Sequence, residues 1–436
     1  MSLFVVSSPE MTSSAKSSTD TSSFAKSSSL MSFRSLDNAD VKGKRVLVRV
    51  DLNVPMQDGK VADATRIEEI VPTITEIADK GGKVILLSHF GRPKGPNPKD
   101  SLRPVAAEVA RILGRPVAFA EDCVGPKAEA PIAAMKDGDI VCLENTRFHP
   151  EEENNDQEFA RQLAALGDIF VDEAFSVAHR KHAANTSIVT ASKLIAYPGR
   201  AMQAELEALN KAFETPQHPV AAIVGGAKIS TKLDLLGHLL EKVDALIIGG
   251  GMANTFLAAQ GKAVGQSLCE NDLIPTARDI LAKAISLGRE IVLPVDVVVA
   301  QKLAAYAPSR VVPVDEVAAN DIILDIGPRS VEHVVSVLAR VKTLVWNGPF
   351  GAFEVEPFDN GTIEVAEAVA ELTAAGKLVS FAGGGDTVAA LNKAGVTGRL
   401  THVSTAGGAF LESLEGRTLP GVEVLKVSPA PAAPGR

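Results

Sequence analysis

Five glycine-rich segments follow apolar runs in the second half of the chain, an arrangement that suits phosphate binding. Glycine lets backbone N–H groups approach a ligand closely, and the start of a following helix adds unpaired donors and a positive dipole end. One such segment alone is often only a tight strand-to-helix turn, but their repetition predicts a site for a phosphate-bearing nucleotide. None matches the GxxxxGK[ST] or GxGxxG motif. The segments are Gly225-Gly-Ala-Lys228, Gly249-Gly-Gly251, Gly348-Pro-Phe-Gly351, Gly383-Gly-Gly-Asp386 and Gly407-Gly408.

Charged side chains near these glycines indicate how a nucleotide could be held. Lys228 and Lys232 are four residues apart, which predicts that they share a helix face and contact phosphates. Asp386 opens a predicted helix, where it could cap the helix or face a hard cation such as magnesium. Glu354 could accept hydrogen bonds from ribose hydroxyls, whereas Trp346 is more typical of a core than of a stack on adenine.

In the first half, basic residues fall at predicted strand-to-helix turns, although the chain carries a net charge of −9. Each could be a solvated loop charge, but their shared position favours an anion site, because the guanidinium fork fits phosphate and carboxylate. Asp51 and Asn53 lie on the same side of a pleat and could orient a neutral hydroxyl there. A small phosphorylated acid would satisfy this set. The basic residues are Arg66, His89, Arg92, Arg147 and Arg180.

Length and composition bound the class of protein. The 436 residues suffice for about two or three domains, and the acidic balance argues against a general binder of nucleic acid or membrane surfaces. Three widely spaced cysteines give neither a disulfide framework nor metal-ligand spacing, which favours a reducing, cytosolic setting. No run of about 18 apolar residues predicts a membrane-spanning helix.

Residues 1–32 differ from the rest because they are crowded with serine and offer little apolar surface. We expect this leader to be disordered. A transit peptide would be richer in arginine and poorer in acids, so a tag, a misassigned start or a dispensable tail is the better interpretation. Met31 would be a natural start for the folded part.

The elements that must position these residues are short apolar strands alternating with helical patterns. This alternation predicts parallel, doubly wound α/β sheets, in which ligands bind beyond the carboxyl ends of the strands. The predicted strands are 45–50, 83–87, 116–120, 140–143, 169–171, 220–224, 245–248, 291–298, 344–346, 378–381 and 401–404.

A helix at 199–214 is predicted to join two domains. Leu206, Leu209 and Phe213 lie on one face of it, and Pro216 follows soon after its end. We expect an N-terminal domain at 33–198 that binds the phosphorylated acid and a nucleotide-binding domain at 215–416. An anion pocket and a nucleotide pocket joined by one helix are typical of a kinase that closes over its two substrates.

These segments, in this order, resemble phosphoglycerate kinases from about residue 33 to 427. The resemblance implies two Rossmann-like domains joined by an interdomain helix and hinge, with a C-terminal segment at 417–436 that returns to the first domain. It implies a cytoplasmic monomer that uses magnesium and converts ADP plus 1,3-bisphosphoglycerate into ATP plus 3-phosphoglycerate. The matching motifs are Arg49-Val-Asp-Leu-Asn-Val-Pro55, Ser88-His-Phe-Gly-Arg-Pro93, Glu144-Asn-Thr-Arg-Phe-His149, Gly225-Gly-Ala-Lys228, Trp346-Asn-Gly-Pro349, Gly383-Gly-Gly-Asp-Thr387 and Ser404-Thr-Ala-Gly-Gly408.

The resemblance also implies roles for individual residues. Arg66, Lys228, Gly407 and Gly408 would act on the phosphoryl group in transfer. Residues that would bind the phosphorylated acid are Asp51, Asn53, Arg66, His89, Phe90, Gly91, Arg92, Arg147 and Arg180. Residues that would bind the nucleotide are Lys228, Lys232, Gly250, Asn347, Glu354, Gly384, Gly385, Asp386 and Thr387, with Asp386 toward the metal.

Two departures from the family pattern leave the required charges in place. Ala406 stands where a third glycine is common, and Glu173 follows Asp172 where Asn-Asp is usual. A non-catalytic relative that keeps the fold is a rival hypothesis, but Lys228, Asp386 and the arginines are all present. A two-domain dehydrogenase is another rival, and the missing dinucleotide motif counts against it.

Overall fold

The computed structural model describes residues 33–427. The serine-rich leader at 1–32 and the last part of the predicted C-terminal segment lie outside the described residues. Within 33–427, no helix combines the length and the apolar character needed to cross a bilayer.

The first half of the chain forms a parallel six-stranded sheet in the order β5-β6-β4-β1-β7-β8. Its strands, with an antiparallel hairpin formed by β2 and β3, are β1 Arg45–Arg49, β2 Met56–Gln57, β3 Lys60–Val61, β4 Lys83–Leu87, β5 Ala118–Phe119, β6 Ile140–Cys142, β7 Ile169–Asp172 and β8 Ile195–Pro198. The helices are α1 Thr65–Asp79, α2 Arg103–Leu113, α3 Pro126–Ala133, α4 Gln157–Ala164 and α5 Ile188–Thr190. Together these elements are called the first lobe.

Both faces of this sheet are covered, which explains why its strands are continuous apolar runs. In β1, Val46 and Val48 pack with Ile67 of α1, whereas Leu47 belongs to the core on the opposite face. The parallel register aligns Arg49 with Leu87 of β4 and with Asp172 of β7. The loops that follow these strands therefore meet at one edge of the sheet.

The second half repeats the plan after an interlobe helix, α6 (Arg200–Leu209), which continues as a wider turn at Asn210–Glu214. Its parallel sheet has the order β11-β10-β9-β15-β16-β17, and β13-β12-β14 form a separate antiparallel sheet. These strands are β9 Val220–Val224, β10 Ala245–Ile248, β11 Glu290–Val292, β12 Asp296–Ala300, β13 Ser309–Pro313, β14 Ile322–Ile326, β15 Thr343–Asn347, β16 Val379–Gly383 and β17 His402–Ser404. The helices are α7 Leu233–Lys242, α8 Gly250–Ala259, α9 Ile274–Ser286, α10 Pro328–Leu338, α11 Asn360–Ala374, α12 Gly385–Lys393, α13 Gly407–Leu414 and α14 Pro420–Glu423. The elements from β9 to α13 are called the second lobe.

The predicted parallel α/β architecture is confirmed, but the prediction of one strand at 291–298 is wrong. β11 ends at Val292 and β12 begins at Asp296, in a different sheet. Pro294 lies between them, and proline cannot donate a ladder hydrogen bond. The carboxylate of Asp296 then accepts from the backbone N–H of Ser330 at 2.7 Å, which fixes the turn between the two sheets.

Hydrogen bonds join the second lobe to the interlobe helix, and the segment beyond the second lobe to the first lobe. On α6, Glu205 Oε2 lies 3.0 Å from Nε2 of His402 in β17. Beyond α13, the backbone N–H of Gly421 donates to the carbonyl of Ala178 at 2.8 Å. The domain limits at 198, 214 and 416 remain predictions.

Candidate active site

A buried basic cluster lies at the carboxyl edge of the first sheet. Arg49 ends β1 and is fully buried, and its Nη2 lies 3.2 Å from Nδ1 of His89, which follows β4. The Nε of Arg49 has no hydrogen-bond partner among the described residues. A buried guanidinium with an unused donor is suited to binding an anion, because an unpaired buried polar group is costly. The cluster consists of Arg49, His89, Arg147, Arg180 and His182.

Burial and the charges of the arginines lower the pKa values of the two histidines. Burial, followed by the nearby Arg49, Arg147 and Arg180, holds the pKa of His89 well below its ordinary value. Burial and the same arginines lower the pKa of His182 to about 4. Both imidazoles are therefore neutral at pH 7, and the guanidinium groups carry the positive charge of the cluster.

Arg147 is fixed in this cluster by the turn that carries it. The side chain of Asn145 accepts from the backbone N–H of Arg147 at 3.0 Å and from that of Phe90 at 2.9 Å. The Nη1 of Arg147 donates to the carbonyl of Gly91 at 2.7 Å, and its Nε lies 3.0 Å from Glu153. The loops after β4 and β6 are thus joined around the basic cluster.

Arg66, Asp51 and Asn53 form a second group beside the basic cluster. Arg66 lies in the first turn of α1, and its Nη1 is 2.9 Å from Asp51 Oδ2 and 2.9 Å from the carbonyl of Asn53. The same Asp51 oxygen accepts from the hydroxyl of Ser176 at 2.5 Å. Asn53 Oδ1 accepts from the backbone N–H of Gly91 at 2.9 Å, which fixes the orientation of the amide side chain.

The remaining predicted residues of the first lobe differ in exposure. Phe90 is buried next to Asn145, where its backbone is held on both sides. Arg92 is exposed, and its side chain has no ion pair with any residue in 33–427. The structure therefore joins His89, Arg147 and Arg180 in one cluster and leaves Arg92 on the rim.

The glycine segments of the second lobe pack directly against one another at the carboxyl edge of the sheet. At Gly348, with φ +101°, a Cβ would lie 2.3 Å from the carbonyl oxygen of Gly225. At Gly250, with φ +68°, it would lie 2.6 Å from the backbone N of Gly226. Only glycine fits these positions, and the backbone of these turns forms the wall of a cavity.

That cavity combines an apolar end with a polar end. It is lined by Gly226, Gly250, Val297, Phe353, Glu354 and Asp386, among others. Asp325 lies at its floor, where burial raises the pKa of its carboxyl group to about 8 although two backbone N–H groups donate to it. A neutral floor, an exposed Glu354 and an exposed Asp386 suit a base, a sugar and a metal-bound phosphate chain respectively.

Hydrogen bonds around Asn347 organise the phosphate end of this cavity. Asn347 Nδ2 donates to the carbonyl of Gly383 at 2.7 Å, and its Oδ1 accepts from Lys232. Thr387, buried in the first turn of α12, accepts from the backbone N–H of Gly348 at 2.7 Å. Gly384 has φ +98°, and a Cβ there would lie 2.5 Å from Asn347 Nδ2.

One prediction about this lobe is wrong, and one of the two alternatives for Asp386 is excluded. Lys228 and Lys232 do not share a helix face, because a 3-10 turn covers Ile229–Thr231 and α7 begins only at Leu233. Because the helix begins only after both lysines, their separation of four residues does not place their side chains on one helix face. Asp386 does not cap α12, since Gly384 holds the cap position without a side-chain hydrogen bond. Its carboxylate, exposed at the cavity, fits a hard cation instead.

The start of α13 completes the site from the second lobe. Gly407 and Gly408 open the helix, and Ala406 at its cap position provides no side-chain hydrogen bond. A Cβ on Gly407 would meet no atom within 4 Å, whereas one on Gly408 would lie 3.5 Å from the ring of His179 in the first lobe. The start of this helix lies at the interlobe cleft, which Thr405 and Ala406 line.

Sequence reasoning missed three residues of the site, namely Arg49, His179 and His182. Arg49 lies inside one of the motifs matched to the family, whereas His179 and His182 lie within two residues of Arg180, the one residue that we selected from that turn. A usable signal existed for Arg49, because period-two alternation puts it on the same side of the strand as Asp51 and Asn53.

Comparison with known proteins agrees with this geometry. A family model described as phosphoglycerate kinase matches residues 36–417. The phosphoglycerate kinase of Bradyrhizobium diazoefficiens is 61% identical over 395 residues, covering 91% of this chain and 99% of that protein. That of Azorhizobium caulinodans is 63% identical over 394 residues, covering 90% and 99%.

Two solved structures share the architecture. The structure of phosphoglycerate kinase from Coxiella burnetii has a TM-score of 0.85 and 42% identity, covering 90% of this chain and 99% of that chain. The enzyme from Pyrococcus horikoshii OT3 has a TM-score of 0.74 and 30% identity, covering 90% and 98%. Sequence, fold and site geometry thus agree, and the chain belongs to the phosphoglycerate kinase family.

Proposed function

We propose that this chain transfers a phosphoryl group reversibly between 1,3-bisphosphoglycerate and ADP, giving 3-phosphoglycerate and ATP. The observation that carries the proposal is one cleft lined from both lobes. Arg66 and Asp51 line it from the first lobe, and Thr405 and Ala406, directly before α13, line it from the second. A phosphoryl group passing between the two pockets would meet Arg66 and the start of α13.

In this proposal the basic cluster holds the 3-phosphate and the carboxylate of the acid. Arg49, Arg147 and Arg180 supply charge at a site where both neighbouring histidines are neutral. Asp51 and Asn53 would orient the glycerate hydroxyl, and Arg92 would reach in from the rim. Charge-assisted bonds from buried guanidinium groups fix a phosphate in position as well as bind it.

The nucleotide would lie along the glycine wall of the second lobe. Its phosphates would meet Lys228, Lys232 and the N-terminus of α12, while Glu354 would accept from the ribose. Asp386 would hold Mg²⁺, which when bound neutralises the phosphate charge. Asn347 and Thr387 would keep the surrounding backbone donors directed at the phosphate chain.

The transfer step needs no general base or protein nucleophile. An oxygen of the 3-phosphoglycerate carboxylate, already ionised at neutral pH, attacks the γ-phosphorus of ATP as the bond to the β-phosphate oxygen breaks and ADP leaves. Arg66, Lys228 and the N–H groups of Gly407 and Gly408 would neutralise charge on the phosphoryl in flight. Closure of the lobes about α6 would align the two ends and exclude water.

A coupled assay of the full chain with 3-phosphoglycerate, ATP and magnesium tests the proposal. We expect magnesium-dependent formation of ADP and bisphosphoglycerate, and a loss of about two orders of magnitude in kcat for Lys228→Ala. Lys211→Ala, on the wide turn after α6, is the matched control and should retain wild-type turnover. ATP binding without any turnover would contradict the proposal and favour a non-catalytic relative.

We infer further that the chain acts as a cytoplasmic monomer. Both lobes of the site come from one chain, and Cys123, Cys142 and Cys269 are free thiols, as a reducing compartment favours. Light scattering coupled to size exclusion tests the monomer. A dimer at micromolar concentration would contradict it.

A further inference from the structure

The interlobe cleft contains a carboxylate to which the proposed reaction gives no role. Glu69 lies on α1 three residues after Arg66, so the two side chains share one face of the helix. The hydroxyl of Thr405 donates to both carboxylate oxygens of Glu69, at 3.1 and 3.2 Å. Thr405 lies between β17 and α13, two residues before Gly407. This hydrogen bond therefore joins the helix of Arg66 to the segment that leads into α13.

Side-chain hydrogen bonds hold the segment that leads into α13, while the helix itself packs through the buried Ala409, Phe410 and Leu414. Its cap position is occupied by Ala406, which has no side-chain acceptor, so the first N–H groups stay available to a phosphoryl. On one side, the hydroxyl of Ser404 donates to Glu205 at 2.8 Å and accepts from the backbone N–H of Ala406 at 3.2 Å. On the other side the contact is the bond between Thr405 and Glu69.

We propose that Glu69 is a positioning residue, which fixes the start of α13 opposite Arg66 through its hydrogen bond to Thr405. The role rests on the proposed phosphoryl transfer, because the helix start and Arg66 must reach the same phosphoryl group. A shift of about 1 Å in such a group can lower the rate without changing the affinity for either substrate. Glu69 would thus affect kcat rather than KM.

The charges that face Glu69 indicate which of its properties is used. Desolvation in the cleft raises its pKa, the hydroxyl of Thr405 lowers it, Glu205 raises it, Arg66 lowers it and Asp51 raises it. The overall pKa is raised above the ordinary value, so the negative charge is disfavoured there. The useful property is therefore the acceptor oxygen, which glutamine also provides.

Kinetics of matched variants test this role. We expect Glu69→Ala and Thr405→Val each to lower kcat about threefold to tenfold, the equivalent of one hydrogen bond, with both KM values and the Tm unchanged. The double variant should be no slower than either single variant. Glu69→Gln and Thr405→Ser should stay near wild type, as should Glu68→Ala, which alters the exposed neighbour of Glu69.

Hydrogen exchange provides a readout that does not depend on turnover. In peptides covering 405–414, Glu69→Ala should speed amide exchange at the start of α13, and Glu68→Ala should not. Wild-type kcat in Glu69→Ala, or additive losses in the double variant, would overturn the inference, as would unchanged exchange. Absence of turnover in the wild-type chain would instead overturn the proposed reaction and leave the exchange result to decide about Glu69.

Discussion

Arg66 and Asp51 form an ion pair across the floor of the first lobe, with Nη1 and Oδ2 2.9 Å apart. The side chain of Arg66 is 36% exposed, and that of Asp51 only 11%. An ion pair of this exposure contributes about 0–1 kcal/mol to the free energy of unfolding. An incoming phosphate can therefore replace Asp51 as the partner of the guanidinium with little loss of stability. Asp51 remains held by Ser176 when Arg66 turns away. In the absence of substrate, Asp51 therefore neutralises the charge of Arg66 and holds its guanidinium near the proposed position of the phosphoryl group.

Replacing Arg66 should lower the activity strongly and the stability of the fold only slightly. We expect Arg66→Ala to lower kcat about 10²-fold to 10³-fold, because a preorganised positive charge at the phosphoryl is lost. The same change should lower the free energy of unfolding by no more than about 1 kcal/mol, given the exposure of the pair. Steady-state kinetics and urea unfolding measure the two effects. Arg103→Ala, which breaks an exposed pair with Glu121, serves as control, and similar turnover in both variants would refute the role of Arg66.

Gly407→Ala should impair catalysis without disturbing the fold. The protein leaves room for the added Cβ, since no atom lies within 4 Å of it, but the methyl group would crowd the helix N-terminus that faces the cleft. We expect kcat to fall at least about tenfold, because misplacing a transferring group by a fraction of an ångström is costly. Gly398→Ala, at a site equally free of neighbours, should keep full activity. Equal kcat in the two variants would exclude α13 from the transfer step.

Thr387→Val should weaken nucleotide binding selectively. It removes the acceptor for the backbone N–H of Gly348, a buried bond of 2.7 Å, and leaves a donor unpaired at a cost of about 1–3 kcal/mol. We expect a higher KM for ATP and a lower Tm, with the KM for 3-phosphoglycerate unchanged. Thr387→Ser keeps the hydroxyl and should restore both values. A rise in the KM for the acid would show that the two pockets are not separable in this way.

Glu173 should make the stability of the chain depend on pH near neutrality. Glu173 directly follows β7 and is buried against the start of α6. Its carboxylate accepts hydrogen bonds from the hydroxyl of Thr73 at 2.7 Å and from the backbone N–H of Ala201 at 3.0 Å. Burial raises its pKa from an ordinary 4.5 to about 7. The native state therefore binds more protons than the unfolded state between these values, and this stabilisation is lost as the pH rises through 7.

The isosteric variant Glu173→Gln lacks this titration. Its free energy of unfolding, relative to wild type, should increase by an amount on the order of 3 kcal/mol as the pH rises from 4.5 to 7, and then level off. Urea unfolding at a series of pH values measures the difference. A constant difference across the range would mean that the pKa of Glu173 in the native state is not raised above its ordinary value.

The sequence predicted the central parallel strands well because strands such as β1, β4 and β9 are buried on both faces and therefore read as apolar runs. It missed the parallel edge strand β8, which begins at the exposed Ile195. It did not predict β13, whose first residues Ser309, Arg310 and Val311 are exposed and give no apolar signal. The hairpin of β2 and β3 was missed for a similar reason, since four half-buried or exposed residues form it. Exposed strands are stabilised by pairing with neighbours, which a single segment does not reveal.

Sequence motifs indicate site residues by residue type, and they give no information about burial. Arg66 and Thr387 stand out within their motifs, but the buried Arg49 looks like an ordinary charged end of a strand. Hydrogen bonds between distant segments are not indicated by any motif, as the bond of Glu69 with Thr405 shows, although Thr405 itself lies within one. Their partners become visible only when the two lobes are folded together.

We propose above all that one chain passes a phosphoryl group directly from one bound substrate to the other. Single-turnover transfer from [γ-³²P]ATP, with the protein in excess over nucleotide and with 3-phosphoglycerate and magnesium present, tests it most directly. Our account predicts that label appears in 1,3-bisphosphoglycerate in step with ADP, with none attached to the protein. Label on the protein, or release only as inorganic phosphate, would contradict it.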